Sequence, residues 1–204
     1  MEFELSPQYT LSNTWHQQLT QSAEIVSKSE RYRQFQFKRE EKRIIVEIGV
    51  YEGASTCWWS DNLLDHPESQ LYSIDPFTGS EEHHASESIR RLLPQLEATA
   101  RRNIALSKNS SKVHVIKGCS WDVFPVLAQF LDQKVDILYI DGAHDAVSIC
   151  RDSSLYYPLV KKGGLIIWDD FANPDCQRSI SGVATLCCPL TDAAALHGQL
   201  WGIK

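Results

Sequence analysis

Five short apolar runs, each rich in β-branched residues and each followed by a longer stretch with helical character, constrain the fold more than any other feature of the sequence. Strands that alternate with helices pair in parallel through right-handed crossovers. Several of the runs are apolar at successive positions, so helices are expected to cover both faces of the sheet. The pattern therefore predicts a doubly wound, mostly parallel α/β sheet whose first five strands are Ile44–Ile48, Leu71–Ile74, Val113–Ile116, Ile137–Ile140 and Leu165–Trp168.

The chain of 204 residues is long enough for one domain with a substantial core, and nothing in the sequence marks a second one. Residues 1–43 are expected to form an N-terminal helical extension, with a helix from about Asn13 to Arg33. Residues 44–171 form the core of the sheet. Within it, the stretch from Ser80 to Ser111 is expected to hold a loop that covers the site and then a helix interrupted by Pro94.

Residues 172–204 are short for the C-terminal edge of such a sheet. The last strand is expected at Gln199–Lys204. The middle of this tail, from Ser179 to Ala195, matches no regular element. The sequence therefore predicts that one edge strand is missing or irregular.

Composition and charge exclude several classes of protein. A hydrophobic content of 43% with 23% charged residues is ordinary for a soluble globular chain. The start of the chain lacks the features of a signal peptide, and no apolar run approaches the roughly 20 residues that span a bilayer, so a cytoplasmic location without membrane contact is expected. The net charge of −6 argues against nucleic-acid binding. The six cysteines form no CxxC pair and are expected to be reduced. A small-molecule substrate fits best, and a homo-oligomer is compatible with the sequence.

Glycines and polar residues follow the first three predicted strands, where a doubly wound sheet binds its ligands. Gly49 and Gly53 frame the first turn; they suit either close approach of a ligand or simply a tight turn. Asp75 ends the second strand, where a carboxylate can accept both hydroxyls of a ribose, although an isolated Asp is more often a cap or turn residue. Ser120 can cap a helix or touch a ligand, and Trp121 fits a core or a lid equally well.

The fourth and fifth strands end in titratable groups. Asp141 and His144 follow the fourth strand, and Asp169 and Asp170 follow the fifth. Carboxylates at neighbouring strand ends raise one another's pKa or recruit a hard cation such as Mg²⁺. The alternative is that each Asp forms a turn or a cap. The near-neutral pKa of histidine suits His144 to remove a proton from a hydroxyl, whereas Asp145 belongs in the first turn of the next helix, where a carboxylate is favourable.

Five segments in this order resemble the class I S-adenosylmethionine-dependent methyltransferases, most closely methyltransferase domain family 24: VEIGVYEGAST, LYSIDPF, GCSWDVF, DILYIDGAHD and LVKKGGLIIWDDF. The resemblance spans roughly Ile44 to Phe171 and implies a Rossmann-like methyltransferase fold with S-adenosyl-L-methionine as cofactor. It places the ribose on Asp75 and lets Asp141 border the cofactor. The methionine part is then expected near Glu47, Gly49, Tyr51, Gly53 and Ser55, and the adenine near Phe77, Cys119, Ser120 and Trp121.

The predicted function is O-methylation of a small-molecule hydroxyl. The resemblance implies Mg²⁺ or another divalent cation on Asp141, Asp169 and Asp170, and a general base at His144. Two alternatives remain: a nucleotide-dependent oxidoreductase on a similar sheet, disfavoured because G-x-G-x-x-G is missing, and a cofactor-binding protein without turnover, disfavoured by the intact acidic set. A catechol, a sugar hydroxyl or a natural-product phenol would place similar demands on the site.

Overall fold

A seven-stranded sheet forms the centre of the molecule. The structure, a computed structural model, describes residues 3, 5, 8–14, 16–32 and 37–204. The strand order is β3-β2-β1-β4-β5-β7-β6, with the first five strands parallel and β7 antiparallel to both neighbours. This arrangement confirms the predicted fold class. The strands are β1 Ile44–Ile48, β2 Gln70–Asp75, β3 Val113–Lys117, β4 Val135–Ile140, β5 Val160–Trp168, β6 Asp192–Leu196 and β7 Gln199–Ile203.

Helices connect these strands and cover the sheet. The predicted N-terminal helix is shorter than expected, because it begins after Asn13, at His16, and ends at Lys28. A separate 3₁₀ segment follows at Glu30–Tyr32, and Arg33 lies outside the described residues. Pro94 lies in a second 3₁₀ turn that separates two helices, as expected for a residue without an amide donor. None of the described helices has the length and apolar content that a membrane crossing requires. The helices are α1 His16–Lys28, α2 Ala54–Leu63, α3 Glu81–Ala85, α4 Glu87–Arg90, α5 Leu96–Leu106, α6 Ser120–Leu131, α7 Ala146–Tyr156 and α8 Pro174–Leu186.

The central strands are buried on both faces, and successive residues serve opposite layers of the core. Val46 points to the layer that α6, α7 and α8 cover, whereas its neighbour Ile45 packs with α1 and α2. In β4, Leu138 likewise points to the first of these layers and Ile137 to the second. This period of two explains why the runs are apolar at every position. The carboxyl ends of the strands are therefore the part of the sheet left free to form a site.

The C-terminal edge corrects the prediction of a missing or irregular strand. β6 and β7 form a regular antiparallel hairpin, and α8 occupies the first half of the stretch that matched no element. The sequence of β6, DAAAL, contains no β-branched residue and gives no strand signal. His197 and Gly198 have φ values of 44° and 86°, the backbone of a tight two-residue hairpin turn. Pairing with the fully buried β7 therefore imposes a strand that local propensity does not predict.

The segment before α1 is attached to the loop between β1 and α2. The Ser12 amide donates to Glu52 Oε2 at 2.7 Å. The Asn103 amide group on α5 donates to the carbonyl oxygens of Thr10 and Glu52, each at 2.9 Å. These bonds fix the loop that carries Tyr51, and they bring α1 close enough for Gln18 to line the cavity described next.

Candidate active site

A cavity of about 560 Å³ opens at the carboxyl ends of the parallel strands, within the size range of small-molecule sites. The structure brings ten of the predicted site residues to its wall: Gly49, Tyr51, Asp75, Cys119, Ser120, Trp121, Asp141, His144, Asp169 and Asp170. The other four do not line it: Glu47, Gly53, Ser55 and Phe77. The wall also holds polar residues that the sequence analysis did not select, among them Gln18, Glu82, His83, Ser148, Arg151, Asp152 and Asn173.

The two glycines of the first turn allow close backbone packing. Gly49 has a φ of +94°, and a Cβ there would lie 1.8 Å from the carbonyl oxygen of Asp141. Gly53 has a φ of +86° and packs against Ile104 of α5. A larger residue at Gly49 would separate the ends of β1 and β4. This glycine therefore allows the half of the cavity floor at the end of β2 to lie beside the half at the ends of β4 and β5.

Asp75 organises the loops around the end of β2. Its Oδ2 accepts hydrogen bonds from the amides of Val50 at 2.7 Å and Tyr51 at 3.0 Å. Its Oδ1 accepts one from the amide of Phe77 at 2.6 Å. Oδ2 uses both of its lone pairs in these bonds, whereas Oδ1 keeps one, so Asp75 can still accept a hydroxyl from a ligand in the cavity.

Glu47 lies beneath the cavity and is fully buried. Thr56 Oγ1 and Ser73 Oγ both donate to its Oε2 at 2.6 Å, while Oε1 has no hydrogen-bond partner. Ser55, on the first turn of α2, also lies close to this carboxylate. Burial raises the pKa of Glu47 to about 7. An acceptor of this kind, partly negative and unsatisfied, is suited to a nearby cationic group.

The ends of β4 and β5 concentrate negative charge. Burial, followed by the proximity of Asp169 and Asp170, raises the pKa of Asp141 well above its usual value. Burial also raises the pKa of Asp169. The Tyr139 hydroxyl donates to Asp169 Oδ2 and lies 3.3 Å from Asp141 Oδ2. In the described part of the chain, the only Lys or Arg on the cavity wall is Arg151, which lies at the other end.

His144 is held between two carboxylates. Its Nε2 lies 2.7 Å from Asp170 Oδ2, and its Nδ1 lies 2.8 Å from Glu82 Oε2 on α3. The hydrogen bond that His144 donates to Asp170, with further contributions from the charge of Asp170 and from Glu82, raises the pKa of His144 to about 9. This arrangement favours the imidazolium form, which must lose a proton before His144 can act either as a general base or as a cation ligand, so the role of general base stays a prediction.

Three ligand atoms of Asp141, His144 and Asp170 lie within 4.8 Å of one another, close enough to share one cation. This set differs from the predicted one, because His144 takes the place of Asp169. The Asp169 carboxylate points inward, where it accepts from Tyr139 and from the Asp170 amide. Asp170 has a φ of 57°, a left-handed backbone that carries its side chain in a different direction from that of Asp169.

The opposite end of the cavity is built by α6 and α7. Cys119 occupies the N-cap of α6, so Ser120 begins the helix and does not cap it, in contrast to one expectation. The hydroxyl of Ser120 donates to Asp152 Oδ1. Trp121 is 42% exposed, and the Arg151 guanidinium lies 3.5 Å above its ring, so Trp121 forms part of the wall and not of the core.

α7 brings residues to this wall that the sequence analysis missed. Ser148, Arg151 and Asp152 are spaced by three and four residues and so share one helical face. That spacing, on a helix that directly follows the strand end with Asp141 and His144, is the sequence signal that could have identified these residues. Asp145 is the N-cap of α7, one residue before the first turn in which it was expected, and it accepts from the amides of Val147 and Ser148; it is absent from the described cavity wall.

Comparison with known proteins identifies the family. The sequence model of methyltransferase domain family 24 matches residues 46–171, more than half of the chain. The uncharacterized protein R132 of Acanthamoeba polyphaga mimivirus is 33% identical over 128 residues, which cover 62% of this chain and 50% of that protein. The chain therefore spans about half the length of this curated relative.

Solved structures share the fold at low sequence identity. An O-methyltransferase from Bacillus cereus in complex with S-adenosylhomocysteine has a TM-score of 0.62 at 18% identity, covering 97% of this chain and 84% of that one. MycE methyltransferase from the mycinamycin biosynthetic pathway, in complex with Mg and S-adenosylhomocysteine, has a TM-score of 0.53 at 17% identity, covering 84% of this chain and 48% of that one.

The cavity has the chemistry that S-adenosylmethionine requires. The cofactor carries two cationic groups, a sulfonium and an ammonium, and the cavity end near Asp141 is strongly acidic. Beneath it, Glu47 Oε1 is a buried acceptor without a partner. At the other end, the exposed ring of Trp121 offers a surface for a flat base. The match over residues 46–171 shows that the chain belongs to methyltransferase domain family 24 and carries a methyltransferase domain.

Proposed function

We propose that the chain transfers the methyl group of S-adenosylmethionine to a hydroxyl oxygen of a small-molecule acceptor, with the aid of a divalent cation. The observation that carries the proposal is the convergence of Asp141, His144 and Asp170 within 4.8 Å at the acidic end of the cavity. Oxygen ligands with one imidazole suit Mg²⁺ or Mn²⁺. The structural resemblance to an O-methyltransferase and to a methyltransferase crystallised with Mg supports the same class of reaction.

The cofactor is proposed to lie along the strand ends. In doubly wound sheets a carboxylate after the second strand binds ribose hydroxyls, which assigns the ribose to Asp75. The methionine part then extends toward Gly49 and Tyr51, above the Glu47 carboxylate, and the base extends toward Cys119 and Trp121. When bound, S-adenosylmethionine supplies a methyl group activated by the sulfonium charge. The chain contributes alignment, because its loops are fixed before the cofactor arrives.

The acidic end is proposed to hold the cation and the acceptor. A cation bound by Asp141 and Asp170 would lower the pKa of an acceptor hydroxyl. The hydrogen bond between Glu82 and His144 Nδ1 orients the ring and leaves Nε2 directed at Asp170 and the cluster. We therefore assign His144 to the ligand set in preference to the role of general base. Asp169 and Tyr139 support Asp141 from below.

A methyl-transfer assay with isotopically labelled cofactor tests this proposal. The acceptors are a catechol, other phenols and free sugars, each assayed with Mg²⁺, with Mn²⁺ and with EDTA. We expect labelled product from at least one hydroxyl acceptor, with the rate lowered on the order of 100-fold by EDTA or by Asp141→Asn. Asp145→Asn, which preserves the helix cap outside the cavity, should match the wild type.

Two results would contradict separate parts of the proposal. Unchanged activity in EDTA and in Asp141→Asn would remove the cation. Methyl transfer confined to amine acceptors in an extended panel would exclude the hydroxyl as the reacting group. His144→Ala separates the two roles of that residue: we expect loss of Mn²⁺ binding, whereas a general base would lose rate and leave cation binding intact.

A further inference from the structure

Asp152 is a buried carboxylate on the cavity wall for which the reaction proposed above has no use. It lies on α7, is 4% exposed and lines the cavity. Ser120 Oγ donates to its Oδ1. Ser120 itself is fixed, because the Tyr156 hydroxyl donates to its carbonyl oxygen at 2.7 Å. In the described part of the chain, no hydrogen-bond donor is found for the other oxygen, Oδ2.

Gly142 leaves that second oxygen open. A Cβ at Gly142 would lie 3.3 Å from Asp152 Oδ2, so a side chain at this position would cover the oxygen. Gly142 also lines the cavity, immediately after Asp141. Asp152 Oδ2 is thus a strong acceptor that is rigidly placed, largely desolvated and available to a ligand. A buried acceptor of this kind gains most from a donor that the ligand supplies.

The cofactor base is the part of the ligand that reaches this position. With the ribose on Asp75, at the end of β2, the base extends toward the end of the neighbouring strand β3 and the start of α6. Trp121, Ser120 and Cys119 form that wall, with Asp152 beside them. The nearest donors serve other atoms: the Ser120 hydroxyl donates to Asp152 Oδ1, and Arg151 Nη2 donates to Ser148 Oγ at 3.2 Å. Arg151 Nε has no hydrogen-bond partner, and it lies 4.0 Å from Asp152 Oδ1, the oxygen that Ser120 already occupies.

We infer that Asp152 is a specificity-determining residue whose Oδ2 accepts a hydrogen bond from the exocyclic amino group of the cofactor's adenine. That amino group is the donor by which adenine differs from a 6-oxo base, which presents a carbonyl oxygen at the same place. A carboxylate oxygen that faces position 6 therefore accepts from adenine but meets a second acceptor in hypoxanthine, whose own donor is at N1. The inference rests on the proposed binding position of S-adenosylmethionine, and it is independent of the cation and of the acceptor.

Calorimetric titration with S-adenosylhomocysteine and with S-inosylhomocysteine tests this assignment, since the two ligands differ only at position 6, where an oxo group replaces the amino group, and at N1, which carries a hydrogen only in the inosyl ligand. We expect the wild type to prefer S-adenosylhomocysteine by roughly 10- to 100-fold. Asp152→Asn keeps an acceptor for Ser120 but can turn an amide donor toward the ligand. It should weaken the adenosyl ligand by a similar factor and remove or reverse the preference. Asp145→Asn, on the same helix but off the described wall, should retain the wild-type preference.

Gly142→Ala provides a second variant if Asp152→Asn fails to fold. Its methyl group should partly cover Oδ2 and weaken the adenosyl ligand more than the inosyl ligand. Equal wild-type affinity for the two ligands would overturn the inference, as would a folded Asp152→Asn that binds both more weakly by the same factor. Preference for the adenosyl ligand without methyl transfer to any hydroxyl would instead contradict the proposed reaction alone, and absence of binding of either ligand would overturn both.

Discussion

The carboxylates in the two halves of the cavity floor have opposite surroundings. At the end of β2, Asp75 accepts hydrogen bonds from three backbone amides. At the ends of β4 and β5, Asp141 and Asp169 face each other and Asp170, and burial together with mutual repulsion raises the pKa of both. The first half is satisfied when the chain folds, whereas the carboxyl groups of the second hold their protons more tightly than usual, and a bound cation would let them ionise.

This difference separates the carboxylates that stabilise the folded chain from those that are suited to bind a ligand. Hydrogen bonds from amides stabilise an ionised carboxylate and fix the loops that supply them. Buried like charges destabilise the folded state until a counter-charge binds. Substitutions in the first half should therefore cost stability, and substitutions in the second half should cost cation binding while leaving the free protein as stable as before or more so.

Asp75→Ala should have the largest effect. It removes the acceptor from three amides of the β1–α2 loop and of its own turn, so we expect a loss of roughly 2 to 4 kcal/mol in the free energy of unfolding. Binding of S-adenosylhomocysteine should fall on the order of 100-fold or more. Urea denaturation and calorimetry measure the two effects. Wild-type stability in this variant would show that the two halves do not differ in the way described.

Glu47→Gln tests the buried acid between the two halves. The pKa of Glu47 rises from 4.5 in the unfolded chain to about 7 in the folded protein. The folded state holds this proton more tightly, so the group's contribution is fully present below pH 4.5 and is lost as the pH rises to about 7. We expect the variant to match the wild type near pH 4.5 and to exceed it by roughly 1 to 3 kcal/mol at pH 8.

Urea denaturation of both proteins at the two pH values measures that difference. If Glu47 contacts the cationic part of the cofactor, the same variant should bind S-adenosylhomocysteine more weakly although it is more stable. Equal stability of the variant and the wild type at pH 8 would contradict the raised pKa of the carboxyl.

Asp169→Asn should sharpen the contrast by removing one of the like charges. The amide oxygen can still accept from Tyr139, whereas the bond from the Asp170 amide is lost. Because the relief of repulsion should exceed that cost, in EDTA we expect a net gain of roughly 1 to 2 kcal/mol in the free energy of unfolding. Added Mg²⁺ should stabilise the wild type and stabilise this variant less. Thermal melts with and without Mg²⁺ measure both effects; a loss of stability in EDTA would place Asp169 with Asp75 among the structural carboxylates.

Asp145→Ala should have the smallest effect and serves as the reference. Its side chain accepts from the amides of Val147 and Ser148 at the start of α7, so the loss of this cap should cost about 1 kcal/mol. Cation binding and cofactor binding should not change. A change in either would mean that the position of α7, and with it His144, depends on the cap.

Much of the sheet could be predicted from the sequence, because strands buried on both faces are apolar throughout and the Asp residues at their ends interrupt that pattern. β6 could not be predicted, since its alanines adopt a strand only through pairing with β7. The side chains of Asp169 and Asp170 point in different directions because Asp170 has a left-handed φ. The sequence around these two residues does not reveal that backbone conformation. Asp152 could not be assigned to the site from the sequence, because it lies on a helix and only its spacing from Ser148 and Arg151 relates it to the strand ends.

Titration with Mn²⁺, followed by electron paramagnetic resonance, tests most directly the claim that the ends of β4 and β5 form a cation site. We expect one bound Mn²⁺ per wild-type chain, displaced by Mg²⁺, with affinity reduced at least about 10-fold in Asp141→Asn and in Asp170→Asn and unchanged in Asp145→Asn. Absence of bound Mn²⁺, or equal binding in all four proteins, would contradict the account.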